Sequence, residues 1–411
     1  MTSARLDPAL AASIVNEAER RREEIVDLCA RLVAARSVNP DGDTRAMASL
    51  VAEMLTGFGL TSALERCVDS MPSLVAHVDS GRPGPHLVLN VHLDTMPPGD
   101  EAAWTEPVWK ITRKDGRLYG LGMGNMKGAV AAMLVAVDLL KRHRGHWDGR
   151  VTFTAVSDEV VFGDNGAAFL LREHPELRGD GLICGEGPGY ARLAIGEKGV
   201  LWLDIQATGE AGHSSSVRPG SSASARLARA VSLIDGLNGV HGTLPPELHT
   251  VSDDGSDTGL ELTANVGTVS AGTFIGQVAT TGHAGVDLRL PPGITAAEAE
   301  NLVRERLVEA PGLTVQRIKG WDPNWTSPES PLIRAWHDAA KAAGLPEPRH
   351  AIRLPASDAS RWRQLGAPAL CYGPQPTLSA GIDDYAVEDE VIDCVSLYTL
   401  AAIAFLTSER A

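Results

Sequence analysis

The 411-residue sequence has no apolar run of the length a membrane span needs and no stripe of lysine and arginine. The first absence predicts no membrane partner. The second, with a formal net charge of −15, predicts no nucleic-acid partner, since nothing basic is clustered to neutralise phosphates. Cysteine is scarce: the five residues Cys29, Cys67, Cys184, Cys371 and Cys394 are scattered, odd in number and never spaced Cys-x-x-Cys. That pattern argues against a disulfide frame or a cysteine-ligated zinc, and predicts reduced thiols in a cytoplasm. The first residues, Met1-Thr2-Ser3-Ala4-Arg5-Leu6-Asp7-Pro8, run into a charged stretch and not a signal-peptide core, which gives the same expectation of a cytoplasmic protein. Repeats and low-complexity tracts are missing too. What is present, 44% hydrophobic and 22% charged residues, is the composition of a soluble globular chain, and its length predicts two domains.

Apolar positions at helical spacing predict one amphipathic helix from Pro8 to Ala35, ended by the turn cluster Asn39-Pro40-Asp41-Gly42, and a second over Thr44–Phe58. The continuous run His86–Val91 reads as a strand buried on both faces. Met126–Lys141 reads as a buried helix, and Val151–Ser157 and Gly181–Cys184 as further strands, so strands alternate with helices in an α/β layered domain. After Gly196-Glu197-Lys198-Gly199 the order becomes strand (Val200–Thr208), helix (Ser221–Leu237), two strands (Leu262–Val269, Gln277–Leu290), helix (Ala296–Glu309) and strand (Leu313–Ile318). This β-α-β-β-α-β order is the ferredoxin-like arrangement. The α/β pattern then resumes with helices Leu332–Ala343 and Ser360–Leu365, a strand at Pro368–Tyr372 and a closing helix Asp389–Leu406. The expected architecture is a mixed-sheet α/β core, residues 1–198 and 321–411, carrying an inserted ferredoxin-like lid or dimerisation domain, residues 199–320.

Several short motifs fall in one order along almost the whole chain. They are Ser37-Val38-Asn39-Pro40, His92-Leu93-Asp94, Leu118-Tyr119-Gly120 leading to Met126-Lys127-Gly128, Asp158-Glu159-Val160, Glu186, Gly212-His213-Ser214-Ser215, Val286-Asp287-Leu288-Arg289 and Gly373-Pro374. In this order they resemble the zinc metallopeptidase family of acetylornithine deacetylase, succinyl-diaminopimelate desuccinylase, aminoacylase and glutamate carboxypeptidase. The resemblance implies a two-zinc amide hydrolase in which His92 and Glu186 ligate the first metal, Asp94 orients the histidine and Glu159 is the general base. It also implies a bridging aspartate where Asn125 stands, a second-site glutamate where Val160 stands and a late histidine near Ala380. Neither an isopropyl nor a methyl group ligates a metal, and no histidine follows His350. The expected cofactor is therefore none, or one weakly bound divalent metal such as zinc.

For the remaining polar positions the resemblance implies that His213 stabilises an oxyanion, reaching the partner's site in relatives that dimerise. Arg289 would clamp a substrate carboxylate, with surface ion pairing as the alternative. Ser357-Asp358-Ala359-Ser360-Arg361 resembles a substrate-binding turn, in which either Arg361 or Arg353 would meet an anionic group. Asn125 lies on the same cavity as a hydrogen-bonding group. Glu159, beside Val160-Val161-Phe162, is expected to be partly desolvated and so a stronger base. Three functions stay open. The first is hydrolysis of an amide in an N-acyl amino acid or similar small carboxylate with little or no metal dependence. The second is a non-hydrolytic reaction (acyl transfer or amide formation, cyclisation, isomerisation or elimination) in a biosynthetic pathway, with Glu159 as the base. The third is a ligand-binding homologue without turnover. A homodimer through the inserted domain is expected.

Overall fold

A computed structural model describes residues 6–40, 42–189, 191–249, 251, 258–308, 310–375 and 381–408. The chain forms two compact units, one of residues 1–195, 325–351 and 357–411, the other of residues 196–324 and 352–356.

The first unit is built on a mixed sheet. Its order runs Ser62–Arg66, Pro72–Asp79, Arg150–Val156, His86–His92, Gly181–Cys184, Ala369–Cys371, Arg192–Glu197 and Asn324–Trp325, with Arg349–Arg353 pairing on Arg192–Glu197. The first two pairings are antiparallel. The next three, joining Arg150–Val156, His86–His92, Gly181–Cys184 and Ala369–Cys371, are parallel. His86–His92 lies in the middle and is buried along nearly its whole length, as its unbroken apolar run requires. Helices Gly128–Arg142 and Glu388–Leu406 pack together, and almost every side chain of each is buried. By length and composition, Met123–Arg142 would suffice to cross a membrane, contrary to the reading that no stretch does; its burial makes it a core helix. The single N-terminal helix of the sequence reading is two, Pro8–Arg20 and Arg22–Ala34. Periodicity continues across the break. Arg21 leaves helical geometry there, and its guanidinium reaches the buried Asp138 at 2.7 Å and Glu24 at 2.8 Å.

The second unit has four antiparallel strands in the order Thr263–Ala271, Thr281–Leu290, Gly199–Thr208 and Leu313–Trp321. In chain order that is 4-1-3-2 read from the other edge, the ferredoxin-like topology. Alternate residues Leu201, Leu203, Ile205, Val286 and Leu288 form one core with Leu227, Ile234 and Val303 of helices Ala223–Asp235 and Ala296–Leu307.

Candidate metal centre

Three neighbouring parallel strands end at the same edge of the first unit's sheet, and each delivers one polar side chain. His92 is the last residue of the central strand, Glu159 follows Arg150–Val156 on one side, and Glu186 follows Gly181–Cys184 on the other. Carboxyl ends of parallel strands are where such sheets collect ligands, because the chain must turn there and leaves polar side chains facing one crevice. One ligand atom from each of His92, Glu159 and Glu186 lies within 4.8 Å of the others, and all three residues are buried. His92 Nε2 is 3.7 Å from Glu159 Oε2 and 3.8 Å from Glu186 Oε1. Asn125 Oδ1 approaches the same nitrogen at 3.0 Å.

His92 Nδ1 lies 2.8 Å from the main-chain carbonyl of Asp94, so Nδ1 carries the hydrogen and the Nε2 lone pair faces the cluster. A carbonyl oxygen 3.0 Å from that lone pair is a spacing for two donors to one ion; tetrahedral zinc with bonds of about 2.0–2.1 Å sets its ligands about 3.3 Å apart. The alternative is a rotated Asn125 carboxamide donating to Nε2. The donor set of imidazole nitrogen, carboxylates and a carboxamide oxygen fits a single divalent ion such as zinc. Val160 presents an isopropyl group beside Glu159, and Ala380 lies outside the described residues.

Asp94 orients His92, but through its carbonyl; its carboxylate stays 3.7 Å from Nδ1. The carboxylate accepts instead from Asn39 Nδ2 at 2.9 Å, the Val160 amide at 3.0 Å and the Glu159 amide at 3.3 Å. It therefore holds the backbone that carries Glu159. Asp158, in the left-handed region with φ 65°, accepts from the amide and carboxamide of Asn165, and its turn brings Glu159 back toward His92. Glu159 itself is buried, more completely than the expected partial desolvation.

Asp358 is buried, within range of the charges of His92 and Glu186, and Asn90 Nδ2 donates to it at 3.2 Å. Burial pushes its carboxyl up to about 6, against the pull of Arg361 and His92. Ser357 Oγ meets Cys371 Sγ at 3.3 Å and caps the Ala359 amide. Arg361 donates to the Gly163 carbonyl at 2.7 Å and lies 3.8 Å from Asp358, bracing the loop after Glu159. Sequence reasoning passed over Asn90, a lone carboxamide inside Leu-Val-Leu-Asn-Val whose Oδ1 accepts from Thr154 Oγ1 at 2.8 Å. It also passed over the reach of Asp384. That carboxylate accepts from the amides of Gly122 at 2.7 Å and Gly124 at 3.3 Å, fixing the turn that presents Asn125. Burial raises Asp384 to about 6 and lowers Lys127, on the same turn, to about 7.

His213, Arg289 and Arg353 belong to the second unit. His213 is exposed, and its Nδ1 accepts from the Ser215 amide at 3.2 Å, so the ring hydrogen is on Nε2 and points outward as a donor. Arg289 has Nε and Nη2 on Asp287 at 2.9 Å each, so most of the fork that a carboxylate clamp requires is engaged; Nη1 is buried with no partner among the described residues. Arg353 is buried and donates to the carbonyls of Ala356 at 2.6 Å and Pro355 at 3.2 Å.

The chain is 28% identical over 391 residues to succinyl-diaminopimelate desuccinylase from Xylella fastidiosa, covering 92% of this chain and 97% of the relative. A desuccinylase from Xanthomonas oryzae is 35% identical over 198 residues, 46% of this chain and 51% of the relative. Among solved structures, human carnosine dipeptidase 1 superposes with a TM-score of 0.78 at 14% identity, covering 98% of this chain and 100% of that one. An M20 family metallo-carboxypeptidase from Sulfolobus solfataricus gives 0.75 at 17%, covering 93% and 99%. At those identities the structures establish the shared fold alone. The model of peptidase family M20/M25/M40 matches residues 88–404, and the chain belongs to that family.

Proposed function

We propose that this M20 hydrolase cleaves the amide C–N bond of a small N-acyl amino acid or dipeptide-like carboxylate at a centre that keeps at most one of the two metal positions. The observation that carries this reading is the composition of the cluster. His92, Glu159 and Glu186 converge within 4.8 Å, while the positions for a bridge and a second site hold the neutral Asn125 and the apolar Val160. The desuccinylase relatives support an N-acyl amino acid as the substrate class.

His92 and Glu186, with the Asn125 carbonyl, would hold the ion. When bound, it supplies Lewis-acid polarisation of a carbonyl and lowers the pKa of a water. Glu159 takes the proton from the attacking water and returns it to the leaving amine; its burial keeps bulk water from competing for it. His213 Nε2–H donates to the developing oxyanion, which a homodimer through the second unit would supply from the other copy. Arg289 Nη1 is the donor left for a substrate carboxylate.

The test is elemental mass spectrometry on protein purified without chelators, paired with amine release from N-acyl amino acids by wild type and Glu159→Gln. One metal equivalent lost in Glu186→Ala, with release abolished in Glu159→Gln, is the expected result. Two equivalents held at this cluster would overturn the reading. Proton chemistry on Glu159 without hydrolysis would show as Glu159-dependent deuterium uptake into a bound ligand, and a pure binder as ligand-induced thermal stabilisation with no turnover.

A further inference from the structure

Helix Pro331–Ala342 is joined to strand Arg349–Arg353 by a segment poor in main-chain donors. Pro346 and Pro348 have no amide hydrogen, so the run Pro346-Glu347-Pro348 offers a single N–H. Leu345 donates to the Ala340 carbonyl at 3.0 Å at one end, and Arg349 to the Ala191 carbonyl at 2.9 Å at the other. Two side chains of the first unit add a tie across the segment. His337, on the helix, and His350, on the strand, bring their Nε2 atoms to 2.8 Å. Their ring centres are 5.1 Å apart. A ring nitrogen lies about 1.2 Å from the centre of an imidazole, so the rings meet head to head with each Nε2 aimed at the other. One ion shared by both would hold the nitrogens at an angle, about 3.3 Å apart for tetrahedral zinc. A straight contact of 2.8 Å is instead the geometry of one proton held between two nitrogens, N–H···N.

We propose that His337 and His350 form an acid-sensitive latch: the pair shares one proton, which fastens residues 343–350 to the helix, and it opens when both rings are charged. Counting hydrogens gives the rule. In the neutral pair one Nε2 carries a hydrogen and the other accepts it, with the accepting ring's own hydrogen on Nδ1. A first added proton makes one ring an imidazolium whose Nε2–H still meets a lone pair, so the contact survives. That ring is His337, because Glu347 Oε1 lies 3.1 Å from its Nδ1, a charge contact and not an aligned hydrogen bond. A second proton leaves two N–H groups and two positive charges face to face, and the rings must part. The acidic groups acting on the pair are Glu347, Asp338 and Glu329. The basic ones on the packed elements are Arg334 and Lys341 of the helix, and Arg349 and Arg192 of the paired strands. Burial holds both imidazoles below their ordinary value, and the charge of His337 adds to this for His350. As pH falls through the histidine range the folded chain therefore binds fewer protons than the unfolded one. The latch's contribution is complete above that range and is lost in acid.

The experiment uses the full-length protein labelled with 15N at histidine. From about pH 8 to about pH 5, the imidazole signals of His337 and His350 should titrate together in two steps at least about one pH unit apart, as two rings sharing a proton must. His337→Gln should reduce His350 to a single step. Amide exchange reads the latch itself, expressed as protection factors so that the intrinsic effect of pH drops out. Protection of Glu347 and His350 should fall about tenfold or more between about pH 7.5 and about pH 5, while Leu203 and Ile205 of the second unit stay within about twofold. In His350→Gln, whose carboxamide offers a donor and an acceptor without titrating, protection of Glu347 should stay flat over the same range. Independent single-step titrations, unchanged protection in wild type, or an equal fall in His350→Gln overturns the proposal. So does an equivalent of zinc retained in Glu186→Ala and lost in His337→Gln, because the pair would then hold a metal and not a proton.

Discussion

Replacing Asp94 by alanine removes one acceptor from three donors: Asn39 Nδ2 and the amides of Glu159 and Val160. Asp94 and Asn39 are almost wholly buried, so water reaches the orphaned groups poorly. A buried donor left unpaired costs about 1–3 kcal/mol. With partial relaxation of the loop, Asp94→Ala should lose about 3–5 kcal/mol. Asp94→Asn, which keeps one oxygen and turns an NH2 toward the other donors, should lose about half as much. Because the chain has two compact units, a single unfolding midpoint averages both. Amide hydrogen exchange reads the loop directly. Val160 and Glu159 should exchange about a hundredfold faster in Asp94→Ala, while amides of the Gly199–Thr208 strand stay unchanged. The imidazole 15N spectrum should still show His92 protonated on Nδ1 in both variants, since its partner is a main-chain carbonyl. Unaltered exchange at Val160, or a change of His92 tautomer in Asp94→Asn, would refute the assignment of the carboxylate to the loop.

Restoring the charge at Asn125 with Asn125→Asp should raise zinc affinity at least tenfold, measured by chelator competition; equal affinity would show that Oδ1 does not face the ion. Gly373→Ala should destabilise the first unit by about 3 kcal/mol and weaken metal retention, because a Cβ there falls 1.8 Å from the Gly185 carbonyl, next to Glu186. A denaturant midpoint at the wild-type value would contradict it. Glu390 has Oε2 buried without a partner among the described residues, and burial, with Asp393 nearby, raises it to about 7. Between about 4.5 and 7 the folded protein therefore holds a proton the unfolded chain has released, so stability falls as pH rises through that window and the penalty is complete above it. Glu390→Gln should melt higher than wild type at pH 8 and show a flatter profile from pH 5 to 7, by differential scanning calorimetry; parallel profiles would remove Glu390 as the cause.

Residue order alone determined the α/β core, the ferredoxin-like insertion and the family, because each rests on local information. The apolar run at His86–Val91, the β-α-β-β-α-β sequence of periodicities and the His92-Leu93-Asp94 spacing need no knowledge of what packs where. Even the engagement of Arg289 is nearly local, since Asp287 lies two residues away on the same face of one strand. The contact that Arg21 makes at the helix break was not legible, because its partner Asp138 lies 117 residues on. Nor was the pairing of Asn90 with Asp358 across 268 positions, or the grip of Asp384 on Gly122 across 262. The identities of His92, Glu159 and Glu186 could be read from motifs. That Asp94 turns its carbonyl to the histidine and its carboxylate to the loop was decided only when three parallel strands ended side by side. A backbone amide or carbonyl has no signature in the sequence; its partner is set by the tertiary turn that exposes it.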